Sequence, residues 1–279
     1  MRSVQFRILT QRVPFLFFAL VAACGSESKG SNDCNGTLLC DDFESYANGS
    51  EPTGKWQTRV SAGELAVDGA RRHSGARSVR VSVQAGAGTK TAFLKLGAPV
   101  LPVAGNVLFG RVYAYLESVP QTSVHFTLIQ AGGLVGNEGY HALYRYGGQQ
   151  PVTDATGFVG NQWMANYETP DSYSGTGPST DCWKHANRTV VPVGRWACIE
   201  WQFDGPANTL RLWQDGKELE DLTVEGAGHG CLHQVPLFPW TAPTFDQLEL
   251  GFESYQTDEA RVLYVDDVAV ADHRIGCGG

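Results

Sequence analysis

Between positions 123 and 149 the chain gathers two His, one Arg, three Tyr and two Gln. These types can hold a carboxylate or a hydroxyl, and His and Tyr can move a proton. Two alternating runs, 123–130 and 139–149, flank a glycine-rich break, which predicts a pair of neighbouring strands. Side chains two apart share a face. His125, Thr127 and Ile129 are therefore expected on one face, with Phe126, Leu128 and Gln130 on the other. In the second run Tyr140, Ala142, Tyr144 and Tyr146 are expected to oppose His141, Leu143 and Arg145. A face mixing Tyr, Arg, His and Gln suits a sugar better than a hydrophobic core. The same tyrosines are also ordinary strand formers.

The elements that must position this pair are short and β-rich. Residues 78–83 (Ser-Val-Arg-Val-Ser-Val) alternate cleanly. Residues 107–116 set Leu108, Val112, Ala114 and Leu116 against Phe109, Arg111, Tyr113 and Tyr115. Further strands are expected at 38–44, 64–68, 91–96, 163–168, 195–203, 209–214, 219–224, 245–255 and 262–270. Asp215-Gly216 is a hairpin signal. Residues 151–162, 169–192 and 226–243 read as loops, and a loop as long as 169–192 is usually functional or disordered. With no amphipathic helix and no repeat, the expected fold is all-β, two packed antiparallel sheets in one domain over 38–279.

The first residues read differently. Arg2, Arg7 and Arg12 precede an apolar run over 13–23, too short to span a bilayer, so 1–23 reads as an export signal. Val21-Ala22-Ala23-Cys24 resembles a bacterial lipobox, which would make Cys24 a lipidated N-terminus and place the protein in the cell envelope. Residues 24–37 then form a flexible tether. Removing three arginines takes the net charge from −8 to −11, which argues against nucleic acid as a partner. Six cysteines remain besides Cys24, an even number that favours disulfides in an exported chain. Cys34–Cys40 and Cys182–Cys198 are the expected pairs.

Several fragments together carry a resemblance. Asp42-Phe43-Glu44 opens the fold, His73-Ser74-Gly75-Ala76-Arg77-Ser78-Val79-Arg80-Val81 follows, and Leu263-Tyr264-Val265-Asp266-Asp267-Val268 closes it. The hairpin from Trp196 to Gly216, the run Tyr144-Arg145-Tyr146-Gly147-Gly148-Gln149 and the run Met164-Ala165-Asn166-Tyr167 complete the set. The chain resembles a bacterial relative of the fungal cellulose-induced protein family, whose concanavalin-A-like β-jelly roll is related to glucuronan and alginate lyases. The resemblance implies a structural Ca²⁺ held by Glu44, by Asp266 or Asp267, and by a carbonyl near Ser74, a donor set such an ion accepts.

The resemblance also implies β-elimination on a polysaccharide, with a polyuronate as the first candidate, by a monomer that meets a membrane only through its lipid. Arg145 and Gln149 would then recognise the carboxylate, and His125 and Tyr167 would transfer protons. Arg111, Gln130, Tyr144, Tyr146, Asn166 and Trp183 would line the substrate. The Arg-x-Glu-x-Arg run and the Gln-Ile-His triplet of alginate lyases are absent. Two alternatives stand beside this reading. One is a carbohydrate-binding module using Tyr144, Tyr146, Tyr167, Trp163 and Trp183 as its platform. The other is a glycoside hydrolase using Glu200 with Glu168, Glu249 or Glu253.

Overall fold

The computed structural model describes residues 34–170 and 177–278. The expected export signal, the lipidated Cys24 and most of the tether lie outside the described residues. Residues 34–37 form a turn, with Thr37 N–H donating to Cys34 O (3.3 Å), and the expected Cys34–Cys40 disulfide clips it to the first strand.

Seventeen strands follow one another in the described residues: β1 (Leu39–Asp41), β2 (Gln57–Ser61), β3 (Gly63–Asp68), β4 (Ser78–Val83), β5 (Lys90–Leu96), β6 (Val107–Leu116), β7 (Phe126–Leu134), β8 (His141–Thr153), β9 (Val159–Thr169), β10 (Thr180–Val190), β11 (Ala197–Asp204), β12 (Thr209–Gln214), β13 (Lys217–Glu218), β14 (Val224–Glu225), β15 (Gly230–Leu232), β16 (Gln247–Ser254) and β17 (Arg261–Ala271). They form a jelly roll of two antiparallel sheets. The first runs β13-β12-β11-β6-β17-β4-β3, with β1 paired to β17 and β14 to β12. The second runs β15-β10-β9-β8-β7-β16-β5-β2.

The core lies between the sheets and is strongly aromatic. Tyr146 of the second sheet stacks on Phe203 of the first (5.6 Å), Phe126 on Phe252 (5.4 Å) and Tyr167 on Trp240 (5.8 Å). Trp163 is fully enclosed and donates its indole N–H to Gln214 (2.8 Å). Large rings gain most from leaving water; the Trp163 indole is satisfied, whereas the Tyr146 hydroxyl and the Trp240 indole N–H find no partner among the described residues.

All three expected loops are partly strands: 151–153 end β8 and 159–162 open β9. Residues 180–190 form β10, and residues 230–232 form β15, which pairs with it. The disulfide map changes accordingly. The expected Cys182–Cys198 pair is wrong: Cys182 and Cys231 are direct neighbours across β10 and β15 and are bonded to each other. Cys198 is bonded to Cys277, which fastens the C-terminal segment onto the first sheet. Cys182 and Cys198 sit in different sheets, and each is bonded to another cysteine.

Candidate functional site

The face of the second sheet turned away from the core carries the polar residues. One row of directly opposed residues crosses it: Glu249 on β16, Gln130 on β7, Arg145 on β8, Asn166 on β9 and Trp183 on β10. Opposed residues of antiparallel neighbours share a face and touch. The row on one side holds Glu253, Thr127, Gly147, Met164 and His185. The row on the other side holds Gly132, Leu143, Glu168, Asp181 and Leu232. Arg145 stands at the centre.

Gln130 reaches this face through a bulge. Thr127 opposes Gly147 and Ile129 opposes Tyr146, so Leu128 is an extra residue in β7. Leu128 and Ile129 both turn inward. A bulge shifts the alternation by one. His125, Thr127 and Gln130 thus share the outer face, although strict alternation predicts Gln130 on the opposite side from the other two.

A cleft of about 250 Å³ opens over the rows, lined by His125, Gln149, Asn166, Asp181, Trp183 and His185 among others. Its polar groups are closely tied. Asn166 Nδ2 donates to Asp181 (2.5 Å) and to the Cys182 carbonyl (2.8 Å). His185 Nε2 lies 3.2 Å from Gln149 Oε1. Gly147 leaves the floor bare, since a Cβ there would lie 1.8 Å from the Phe126 carbonyl oxygen.

The charges form a linked cluster. Arg59 grips Glu249 with Nε (2.9 Å) and Nη2 (2.7 Å), and Glu253 with Nη1 (2.9 Å). Glu253 also accepts from Thr91 Oγ1 (2.8 Å) and Tyr255 OH (2.6 Å). Arg145 is buried; its Nη1 contacts Glu168, and its Nη2 lies 3.8 Å from Glu253. Burial pushes the Glu253 carboxyl up, but Arg145 and Arg59 outweigh it and hold the group below the usual range. Glu168 goes the other way, raised by burial against the pull of Arg145. His125 is pushed down to about 3, first by burial and then by Arg145, so its imidazole is neutral. Burial raises the Tyr255 phenol, which stays protonated and lies under the Arg145 guanidinium at 5.8 Å. The His125 and Tyr255 rings are 5.2 Å apart.

Four buried polar atoms, three in the central row and one in the row beside it, have no hydrogen-bond partner among the described residues: Gln130 Oε1, Arg145 Nε, Asn166 Oδ1 and Thr127 Oγ1. Orphaned polar atoms are costly and mark places where a ligand or water completes the set. The arrangement can therefore bind a hydroxyl-rich or carboxylate-bearing chain beside a neutral imidazole and a phenol.

A family model for the Cip1-like core domain of the polysaccharide lyase-like class matches residues 42–273. The chain belongs to the Cip1-like polysaccharide lyase-like family. Among solved structures, a cellulose induced protein, Cip1, aligns over 86% of this chain and 100% of its own with a TM-score of 0.58 and 20% identity. That likeness supports the jelly-roll fold. An alginate lyase, vAL-1 from Chlorella virus, aligns over 78% of this chain and 93% of its own (TM-score 0.43, 11% identity). A CBM22-1 xylan-binding domain from Paenibacillus barcinonensis Xyn10C aligns over 84% and 93% (TM-score 0.37, 12% identity). No curated protein matches the chain.

In this Cip1-like domain the expected site residues divide sharply. His125, Gln130, Arg145, Gln149, Asn166 and Trp183 come together on the outer face. Tyr144, Tyr146 and Tyr167 do not: they alternate inward from Arg145 and Asn166 and are fully buried in the core. Tyr144 OH donates to the Trp240 carbonyl (2.9 Å), and the platform expected of these rings is instead core packing, as it is for Trp163. Arg111 lies in the first sheet opposite Glu200, under the C-terminal segment, and donates to the Gly276 carbonyl (3.3 Å). Glu200 is held there by Arg274 Nη2 (2.9 Å) and Gly276 N–H (2.8 Å), away from Glu168, Glu249 and Glu253 on the other sheet. Neither can act in the cleft.

The residues expected to hold a metal gather on the 73–77 turn. Asp266 Oδ2 accepts from His73 N–H (2.8 Å) and Ser74 N–H (3.2 Å), and Asp267 Oδ1 accepts from Ser74 Oγ (2.8 Å). Glu44 Oε1 accepts from Ala76 N–H and Arg77 N–H, both at 2.7 Å. Burial and then Asp267 push the Asp266 carboxyl up to about 8.

Arg59, Asp181, His185 and Tyr255 were not legible as site residues. For two of them a signal exists. Asp181, Trp183 and His185 are spaced by two, the period of one strand face, inside a stretch whose Pro, Ser and Gly content reads as loop.

Proposed function

We propose that this domain binds a polysaccharide along the outer face of the second sheet and cleaves it by β-elimination beside a uronate residue. The observation that carries the reading is Arg145, a buried cation with a free Nε, set between Gln130 and Asn166 and next to His125 and Tyr255. β-Elimination needs the uronate carboxylate neutralised so that its α-proton, on C5, becomes acidic; Arg145 and Asn166 are placed for this. The neutral His125 nitrogen takes that proton. The electron pair forms the C4–C5 double bond, and the C4–O bond breaks. Tyr255, a protonated phenol, gives its proton to the leaving oxygen. Tyr255 thus fills the role expected of Tyr167.

The experiment is a panel of glucuronan, alginate, pectate and neutral β-glucans, followed by ultraviolet absorbance and by reducing ends in the same tubes. Rising absorbance with one polyuronate is the expected result and names the substrate. Reducing ends without absorbance, or silence with every polyuronate, sinks the lyase reading.

A second reading, a non-catalytic carbohydrate-binding domain, is favoured by one observation. A group pushed to about 3 is a weak proton acceptor, whereas the partly exposed Trp183 ring needs no base to hold a sugar. Retention on a glycan without turnover is its signature.

Ca²⁺ fits the second group of acids. Asp266 and Asp267 are 0% and 1% exposed, adjacent and of like charge, and the donors are all oxygen. A Cβ on Gly75 would lie 2.4 Å from Glu44 Oε1, so the turn is built to let that carboxylate close on it. Glu44, Asp266, Asp267 and a carbonyl near Ser74 would hold the ion, whose role is structural. Export and lipidation at Cys24, and a monomeric state at the cell envelope, complete the proposal on the sequence grounds given above; mass analysis of the mature N-terminus tests the lipid.

A further inference from the structure

The outer face around Arg145 holds more negative than positive side chains. Arg59 and Arg145 face Glu168, Asp181, Glu249 and Glu253. A bound uronate would add a fifth carboxylate, and like charges at short range in a poorly solvated site repel strongly. Something must give way.

Three of the acids are fixed. Glu249 and Glu253 are gripped by the Arg59 fork, and Glu253 has Thr91 and Tyr255 as further donors. Asp181 is bonded to Asn166. Glu168 differs in its setting. Its ion-pair partner is Arg145 Nη1, and its side chain keeps 26% of its surface exposed where that of Glu253 keeps 5%. It stands directly opposite Asp181, a second carboxylate, across β9 and β10. Beside the contact, Arg145 Nε points at no partner among the described residues.

We propose that Glu168 is an exchangeable counter-ion: a uronate carboxylate takes its place on Arg145, using Nη1 and Nε, and the displaced Glu168 takes up one proton from solvent. The inference rests on the uronate reading above and adds how the site tells charged from neutral chains. The charged groups facing Glu168 are Arg145 from β8, Asp181 from β10 and Glu253 from β16. Once Arg145 is taken, only the two acids remain, and like charges favour the neutral carboxyl. Burial already raises Glu168 while Arg145 is in place. The one bond formed is the O–H of the protonated Glu168, its proton drawn from solvent; the free cluster and the bound cluster differ by one substrate carboxylate and one proton. A neutral glucan cannot make this exchange. Its binding is independent of pH, and it leaves Glu168 on Arg145.

The test is calorimetry on the whole described domain with a glucuronan hexasaccharide, and with cellohexaose as the neutral control. Titrations in two buffers of different ionisation enthalpy count protons taken up by the wild type. The expected result is uptake approaching one proton, with uronate affinity falling about tenfold per pH unit once Glu168 is ionised. In Glu168→Gln the uptake and the slope disappear and affinity at about pH 8 rises above wild type. Uronate binding without proton uptake in the wild type overturns the proposal, and needs no variant to fold. An unchanged pH slope in a folded Glu168→Gln overturns it as well. A wild type that binds no uronate at any pH removes the uronate reading itself, and the exchange with it.

Discussion

Gln130 and Arg145 stand directly opposite each other across β7 and β8 because Leu128 is one residue too many for the pairing. The bulge turns two successive apolar residues inward and brings Gln130 onto the face that already holds His125 and Thr127. The central row of the cleft therefore depends on a local irregularity rather than on the regular pleat.

Arg145 is the residue whose replacement should tell most. Arg145→Lys keeps a cation between Glu168 and Glu253 but loses the planar fork. Uronate turnover or binding should fall by about a hundredfold, roughly two tenfold steps of 1.4 kcal/mol each, with little change in melting temperature. Arg145→Ala is a poorer probe, because leaving buried carboxylates uncompensated costs about 3–5 kcal/mol. A Lys variant with full activity would remove Arg145 from the chemistry.

His125 should stay neutral in the folded protein far below the usual histidine range. Its folded value, about 3, lies under the unfolded value of about 6.5. The unfolded chain therefore takes the proton first, and stability falls as pH drops from about 6.5 towards 3. Imidazole resonances followed by NMR check this directly. A His125 signal titrating near 6.5 in the native state would contradict it, and His125→Asn should flatten this part of the stability curve.

Gly147 should tolerate no side chain. The Cβ of Gly147→Ala would meet the Phe126 carbonyl oxygen at 1.8 Å, and backbone cannot swing aside as a side chain can. Overpacking of this kind costs about 1–3 kcal/mol. Denaturant melts measure the loss, and a variant as stable as wild type would overturn this expectation.

Chelation should lower the melting temperature by several degrees if Ca²⁺ sits at Glu44, Asp266 and Asp267, since removing a ligand that binds only the folded state destabilises it. Elemental analysis should find about one calcium per chain. No shift and no metal would end the calcium proposal. Asp266→Asn should abolish the shift if the metal is there.

The fold was readable because strands such as β4 and β6 are rich in strand-forming residues and largely alternate. The site was readable only in part. Tyr144 and Tyr146 flank Arg145, so alternation puts them on the face opposite it, but it does not say which face is core. The rings, with more apolar surface to bury, took the inside. β10 was hidden because its period-two signal lies amid turn-forming residues, and with it went the pairing that joins Cys182 to Cys231. Tyr255 sits one residue beyond β16 and enters the cleft through its bond to Glu253, a contact that spacing does not encode.

The Cys182–Cys231 bond has a practical consequence. β15 is three residues long, pairs with β10 alone, and supplies Leu232 to the rim of the cleft. So short a ladder does little to hold itself in place, and the crosslink is what makes that rim a wall. Protein produced in a reducing cytoplasm would keep the floor around Arg145 and lose the shelf beside Trp183. Two preparations of one polypeptide would then match in sequence and in mass to within a few hydrogens, yet differ in the shape of the cleft they present. The history of the thiols belongs with every binding measurement made on this molecule.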